Sequence, residues 1–187
     1  MNYADVLEEN EKLTTGPFQL ARHKGEAIAD TFLSGKYALI FVLSGAVRFT
    51  CKSCRLSLTT GNFIGIDTLN LKHFCCTEET VLLKYLVQGR LSRYIGCTRA
   101  FQSHISHIPI LAALNGWIDS LVLHLKEHKI YSEEEYAINE QNLIECLLNH
   151  YSAGQLGELH VLMVASQITK VKSCCRTVSV IEQNSVG

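Results

Sequence analysis

Short apolar runs separated by turn residues dominate the first half of the chain. Tyr37 to Leu43 reads YALIFVL and stops at Ser44-Gly45. Ala46 to Thr50 follows and leads into Cys51-Lys52-Ser53-Cys54. Arg55 to Leu58 stops at Thr59-Thr60-Gly61, and Phe63 to Ile66 stops at Asp67. Runs of this length, rich in Val, Ile, Leu and Phe and punctuated by Gly, Ser and Asp, predict consecutive antiparallel strands. Phe18 to Arg22, Ile28 to Leu33 and Val81 to Val87 extend the series, with His23-Lys24-Gly25-Glu26 as a turn. Strands recurring at roughly 8 to 12 residues predict a small barrel or sandwich. Residues 1 to 16 form a polar lead-in with one helical turn around Val6 and Leu7.

The period then changes. From Pro109, placed in a first helical turn, Ile110, Leu111, Leu114, Trp117, Ile118, Leu121, Val122 and Leu125 fall three and four apart. That spacing predicts an amphipathic helix, and Lys126, His128 and Lys129 suit its C-terminal dipole. A second helix opens at Ser132, with Glu135 completing a capping box. Its apolar face is Leu143, Ile144, Leu147, Leu148 and Tyr151, and Gly154 or Gly157 ends it. A short third helix is predicted over Gln155 to Ala165. Lys170 to Gly187 shows no period. The fold class expected is α+β, a small antiparallel β-barrel followed by two or three α-helices. The expected layout is a barrel with its N-terminal arm over 1–105, helices over 106–169 and a tail over 170–187.

Composition narrows the function classes. The 187 residues are 47% apolar and 19% charged, enough for a packed core. A net charge of −1, from 17 basic and 18 acidic residues, gives no electrostatic footprint for nucleic acid. The acidic start MNYADVLEENEKL is unlike a signal peptide, and no run reaches the roughly 18 apolar residues of a membrane span. A cytoplasmic location without membrane contact is therefore expected. There the 8 cysteines are expected as free thiols, mostly small buried hydrophobes.

A β-barrel raises the question of a cupin metal site, built from a His pair, a Glu and a further His on neighbouring strands. The segments AVRFTCKSCRLSL and NFIGID carry no His and no Glu, so no metal and no cofactor are expected. Cys51 and Cys54 with His73, Cys75 and Cys76 allow a zinc site on paper. A hairpin turn at Lys52-Ser53 with two cross-strand cysteines is the preferred reading. A redox role is disfavoured, because that motif opens a helix. No nucleophile elbow, P-loop or dinucleotide fingerprint is present. Arg48 alternates with Val47 and Phe49 and so faces the opposite side of the sheet from them. It is expected to point to solvent; pointing inward, it would need an anionic or hydroxyl-rich ligand.

LIFVLSGAVRF followed by LSLTTGNFIGID resembles the cupin-type (double-stranded β-helix) N-terminal half of arabinose-regulator (AraC) family transcription factors. Asn62 stands where that family usually has an acidic residue. YAINEQNLIECLLNHYSAGQLGELH is similar to the second and following helices of such regulators, particularly those of Bacteroidetes. The resemblance spans about residues 18 to 165. It implies a ligand-sensing and dimerisation module, not an enzyme, with DNA contacted only through a helix-turn-helix domain that is not seen in this chain. Tyr37, Arg48, His73 and Tyr85 are the candidate polar groups for a small-molecule effector, with sugars one possibility by family analogy. The helix pair is expected to form a homodimer, with Trp117, Leu121, Val122, Leu125, Leu147 and Tyr151 partly at a two-fold interface. The competing readings are a cupin-class isomerase or dioxygenase, and an interaction barrel filled by its own side chains.

Overall fold

A computed structural model of the chain describes residues 2–7, 12–24, 37–51, 55–67, 71–76, 78–87, 107–127 and 132–156. The chain runs α1 (Tyr3–Leu7), β1 (Lys12–Thr15), β2 (Phe18–Lys24), β3 (Tyr37–Ser44), β4 (Ala46–Cys51), β5 (Arg55–Thr59) and β6 (Asn62–Asp67). It continues through β7 (Leu71–Cys76), β8 (Glu79–Leu86), β9 (Ile108–Pro109), α2 (Ala112–Glu127) and α3 (Glu133–His150).

The strands form two antiparallel sheets. One has six strands in the order β1-β2-β8-β3-β6-β9, the other three in the order β5-β4-β7. From β3 onward the chain passes from the larger sheet to the smaller and back, giving the α+β class expected. Two tight turns make these crossings possible. Gly45, between β3 and β4, holds φ at +82°, and a Cβ there would meet the Glu79 carbonyl and Thr80 Oγ1 at 2.5 Å. Gly61, between β5 and β6, holds φ at +80°. The turns are tied together: the Thr60 amide donates to the Gly45 carbonyl, and the Gly61 amide to the Val42 carbonyl.

Strict alternation along the strands splits the core in two. Phe18, Leu20, Leu39, Phe41, Phe63, Leu83 and Tyr85 face the helices. Ala21, Ile40, Val42, Ile64 and Leu82 face the smaller sheet and pack with Val47, Phe49, Leu58 and Phe74. Among the described residues these side chains pack together between the two sheets. Two polar side chains, Gln19 and Lys84, are buried at paired positions in the larger sheet. Lys84 shares its face with Leu82 and Leu86, and burial pulls its ammonium down to about 8.

The helices lie on the other face of the larger sheet. Trp117 of α2 sits 6.0 Å from the Phe18 ring and 6.2 Å from the Phe41 ring, and its indole N–H donates to the Asn139 carbonyl of α3. The capping box of α3 forms as its sequence requires: Ser132 Oγ accepts from the Glu135 amide, and the Glu135 carboxylate accepts from the Ser132 amide. Tyr3 of α1 docks on α2 by donating to Asp119 at 2.8 Å.

Several expectations need correction. Lys12–Thr15, read as lead-in, is an edge strand paired with β2. His23 and Lys24, read as a turn, continue β2 opposite Thr80 and Glu79. Pro109 is not in a helix: it pairs with Asn62 at the sheet edge, where its missing N–H costs no ladder bond. Leu71–Cys76, not among the strands expected, forms β7 with His73 inside it and pairs with β4. The second helix ends at Tyr151, whose extended backbone caps it before Gly154. The strand expected at Ile28 to Leu33, the Lys52-Ser53 turn, most of the third helix and the tail from Lys170 lie outside the described residues.

Candidate functional site

The buried stripe of α3 changes character along its length. Its C-terminal part buries Leu143, Ile144, Leu147 and Tyr151. Stepping back along the same stripe by threes and fours gives Glu140, Ala137, Tyr136 and Glu133. The first two turns therefore present carboxylates and a phenol where the rest of the helix presents hydrocarbon. These residues, with Gly16, Pro17 and Tyr85, line a cleft of about 370 Å³ between the β1–β2 turn, β8 and α3.

Each wall has a local cause. Gly16 adopts φ of +51°, and the Tyr136 ring lies against it where any side chain would sit. Pro17 closes the same turn, and its carbonyl accepts from the Leu86 amide. Tyr85 is fully buried, its ring stacked on Phe18 at 4.8 Å, and its hydroxyl donates to Glu140 Oε1 at 2.5 Å. The Glu140 carboxyl has lone pairs beyond the one this bond uses, so it can accept a second donor from the cleft. Glu133 is exposed at the helix start, while Tyr136, Ala137 and Glu140 are half-buried. The described lining has no basic side chain.

The four residues proposed for the effector are not gathered into one place. Tyr85 alone lines the cleft. Arg48 is exposed on the outer face of β4, because Val47 and Phe49 take the inner one. His73 is exposed on the same outer face, at the register position opposite Thr50. Arg48 thus takes the solvent side expected of it, and neither Arg48 nor His73 reaches the cleft. The Tyr37 side chain lies outside what is described. Glu140 and Tyr136 were missed, although a carboxylate on an otherwise apolar helical stripe is a readable signal.

The residues proposed for the two-fold contact are also placed elsewhere. Leu121, Val122, Leu125, Leu147 and Tyr151 are buried within the chain itself, and Trp117 is half-buried against the same core. The larger sheet is wide enough to cover both helices, so their stripes are spent on it. Tyr151 is fixed further, donating to the Pro109 carbonyl and accepting from the Leu111 amide at 3.0 Å each. The exposed large apolar residues of the helices are Leu123, Ile138 and Leu148. Leu123 and Ile138 lie opposite the buried stripes of α2 and α3.

Among the described residues no group of three or more His, Cys, Asp or Glu is placed to hold a metal ion. Cys75, Cys76 and Cys146 are free thiols, and burial raises the pKa of Cys76 and Cys146. No described helix is long and apolar enough to cross a membrane.

No family model matches the chain, and no curated protein matches it. Among solved structures, it is similar to the AraC-like transcriptional activator CuxR, with a TM-score of 0.47 and 11% identity over 72% of this chain and 51% of that one. It is also similar to apo ToxT from Vibrio cholerae, with a TM-score of 0.45 and 9% identity over 71% of this chain and 54% of that one. A cupin superfamily protein from Desulfitobacterium hafniense matches with a TM-score of 0.31 and 13% identity, over 38% of this chain and 66% of that one. The chain spans about half the length of the CuxR and ToxT chains it matches.

Proposed function

We propose that the chain is the ligand-sensing and dimerisation part of an AraC-type transcriptional regulator. The sequence resemblance supplies the family. The observation that carries the sensing role is the cleft whose walls come from both the sheet and α3. A molecule bound there touches two elements at once. It binds more tightly to whichever arrangement of sheet and helix fits it, and so shifts the balance between them. Among the described residues Val42, Phe49, Ile64 and Phe74 pack together between the two sheets, and the effector is assigned to the cleft beside α3. Self-association falls to the outer face of the helix pair, around Leu123 and Ile138. DNA contact falls to other segments of such a regulator.

The test is thermal denaturation and light scattering of the purified protein across a panel of sugars, amines and carboxylic acids. A compound that raises the melting temperature and changes the oligomeric mass supports the proposal. An unchanged melting temperature across the panel, together with a monomer at tens of micromolar, overturns it.

A further inference from the structure

Strand alternation gives the smaller sheet an outer face with a chemistry of its own. The register of β4 with β5 and β7 lays two rows across it: Ser57, Arg48 and Cys75 in one, Arg55, Thr50 and His73 in the next. Arg48, Arg55, Ser57 and His73 are exposed, and Thr50 and Cys75 are half-buried. Arg55 and His73 each stand diagonal to Arg48, where Cβ atoms lie about 7–8 Å apart, within reach of long side chains. Cross-strand pairs stabilise a sheet through opposite charges, not like ones. Arg55 and His73 have a structural reason to be polar, because β5 and β7 end the sheet and charge blunts an edge. Arg48 has none of that kind, since β4 is the central strand. Arg22 is spent inside the chain, on Glu79 and the Ala4 carbonyl, while among the described residues Arg48, Arg55 and His73 form no ion pair.

We infer that this face docks an acidic segment of a partner protein, laid in extended conformation along β4. Alternate side chains of an extended segment point the same way, about 6.6–6.8 Å apart. The same step separates the row of Arg48 from the row of Arg55 and His73, two residues further along β4. One carboxylate meets Arg48 while the next meets Arg55 or His73. The arginine fork holds a carboxylate through two parallel bonds, and the Thr50 and Ser57 hydroxyls supply further donors. A nucleic acid fits less well. A chain of net charge −1 does not attract a polyanion at long range, whereas a few carboxylates respond to the local patch. The cleft beside α3 lies on the other side of the larger sheet, so this contact is separate from it.

Fluorescence anisotropy of a labelled peptide of alternating Glu and Ser, titrated with the whole chain at about 0.02 M and about 0.2 M salt, tests this. The peptide is expected to bind at the lower salt and more weakly at the higher, and its Gln-Ser counterpart not to bind. R48Q is expected to weaken binding about tenfold, and R55Q and H73Q about threefold each. K126Q makes the same charge change as R48Q at an exposed site on α2 and is expected to leave binding unchanged. These side chains are all exposed, so the variants are expected to fold. No binding of the Glu-Ser peptide, unaltered binding in R48Q, or an equal loss in K126Q overturns the inference. Tighter, Arg48-dependent binding of a short DNA duplex also overturns it, in favour of nucleic acid as the partner.

Discussion

The hydroxyl of Tyr85 on β8 donates to Glu140 on α3 at 2.5 Å, and this bond joins the central sheet to the helix pair across 55 positions of sequence. Tyr85→Phe removes the donor and leaves the half-buried carboxylate with one partner fewer. A loss of roughly 1–3 kcal/mol in unfolding free energy is expected. Glu140→Gln should cost less, because an amide oxygen still accepts. A double-mutant cycle by urea denaturation should give a coupling above about 0.5 kcal/mol. Strict additivity would show that the bond does not form in solution.

Gly16 holds φ of +51°, and a Cβ placed on it would come 2.1 Å from Tyr136 Cζ. Gly16→Ala therefore combines left-handed strain of about 1 kcal/mol with displacement of the Tyr136 ring. In a Tyr136→Leu background the added cost of Gly16→Ala should fall towards the strain alone. Equal costs in both backgrounds would mean that the ring does not rest on the glycine.

Burial holds Lys84 at about 8, against roughly 10.4 in an unfolded chain. Between those values the unfolded state binds more protons, so the contribution of this group to stability rises with pH. Below about 8 the full cost of burying the charge is present. The stability of the unaltered protein relative to Lys84→Met is therefore expected to rise as the pH is raised through about 8, whatever its sign at pH 7. The Tyr and Cys groups titrate in both proteins, so the difference between two denaturation curves isolates Lys84. A margin that stays constant from about pH 7 to about pH 9.5 would refute the lowered value.

Leu121 and Leu123 are two residues apart and have opposite fates: Leu121 is 1% exposed and Leu123 is 46% exposed. Leu121→Glu places a charge in the core and is expected to prevent folding, not to yield folded monomers. Leu123→Glu should leave stability within about 0.5 kcal/mol and, on the proposed assembly, lower the mass seen by light scattering. Folded monomers of Leu121→Glu would return the two-fold contact to the buried stripe.

Period alone determined most of the elements. The apolar runs Tyr37 to Leu43, Ala46 to Thr50, Arg55 to Leu58, Phe63 to Ile66 and Val81 to Val87, the stripe from Leu114 to Leu125 and the Ser132–Glu135 capping box all became what their spacing required, because each depends on neighbours within a few residues. The same alternation already placed Arg48 opposite Val47 and Phe49. What a face packs against is a different matter. The stripes of α2 and α3 read as a dimer surface, yet only the pairing of six strands into one wide sheet decided that they bury within the chain. Lys12–Thr15 became a strand only because β2 offered it an edge. The cleft was likewise a tertiary outcome. Gly16, Tyr85 and Glu140 are remote in sequence, and it is the docking of α3 on β8 that brings them together. Spacing specifies which side of an element is apolar, while the partner of that side is chosen by long-range packing, which local sequence does not encode.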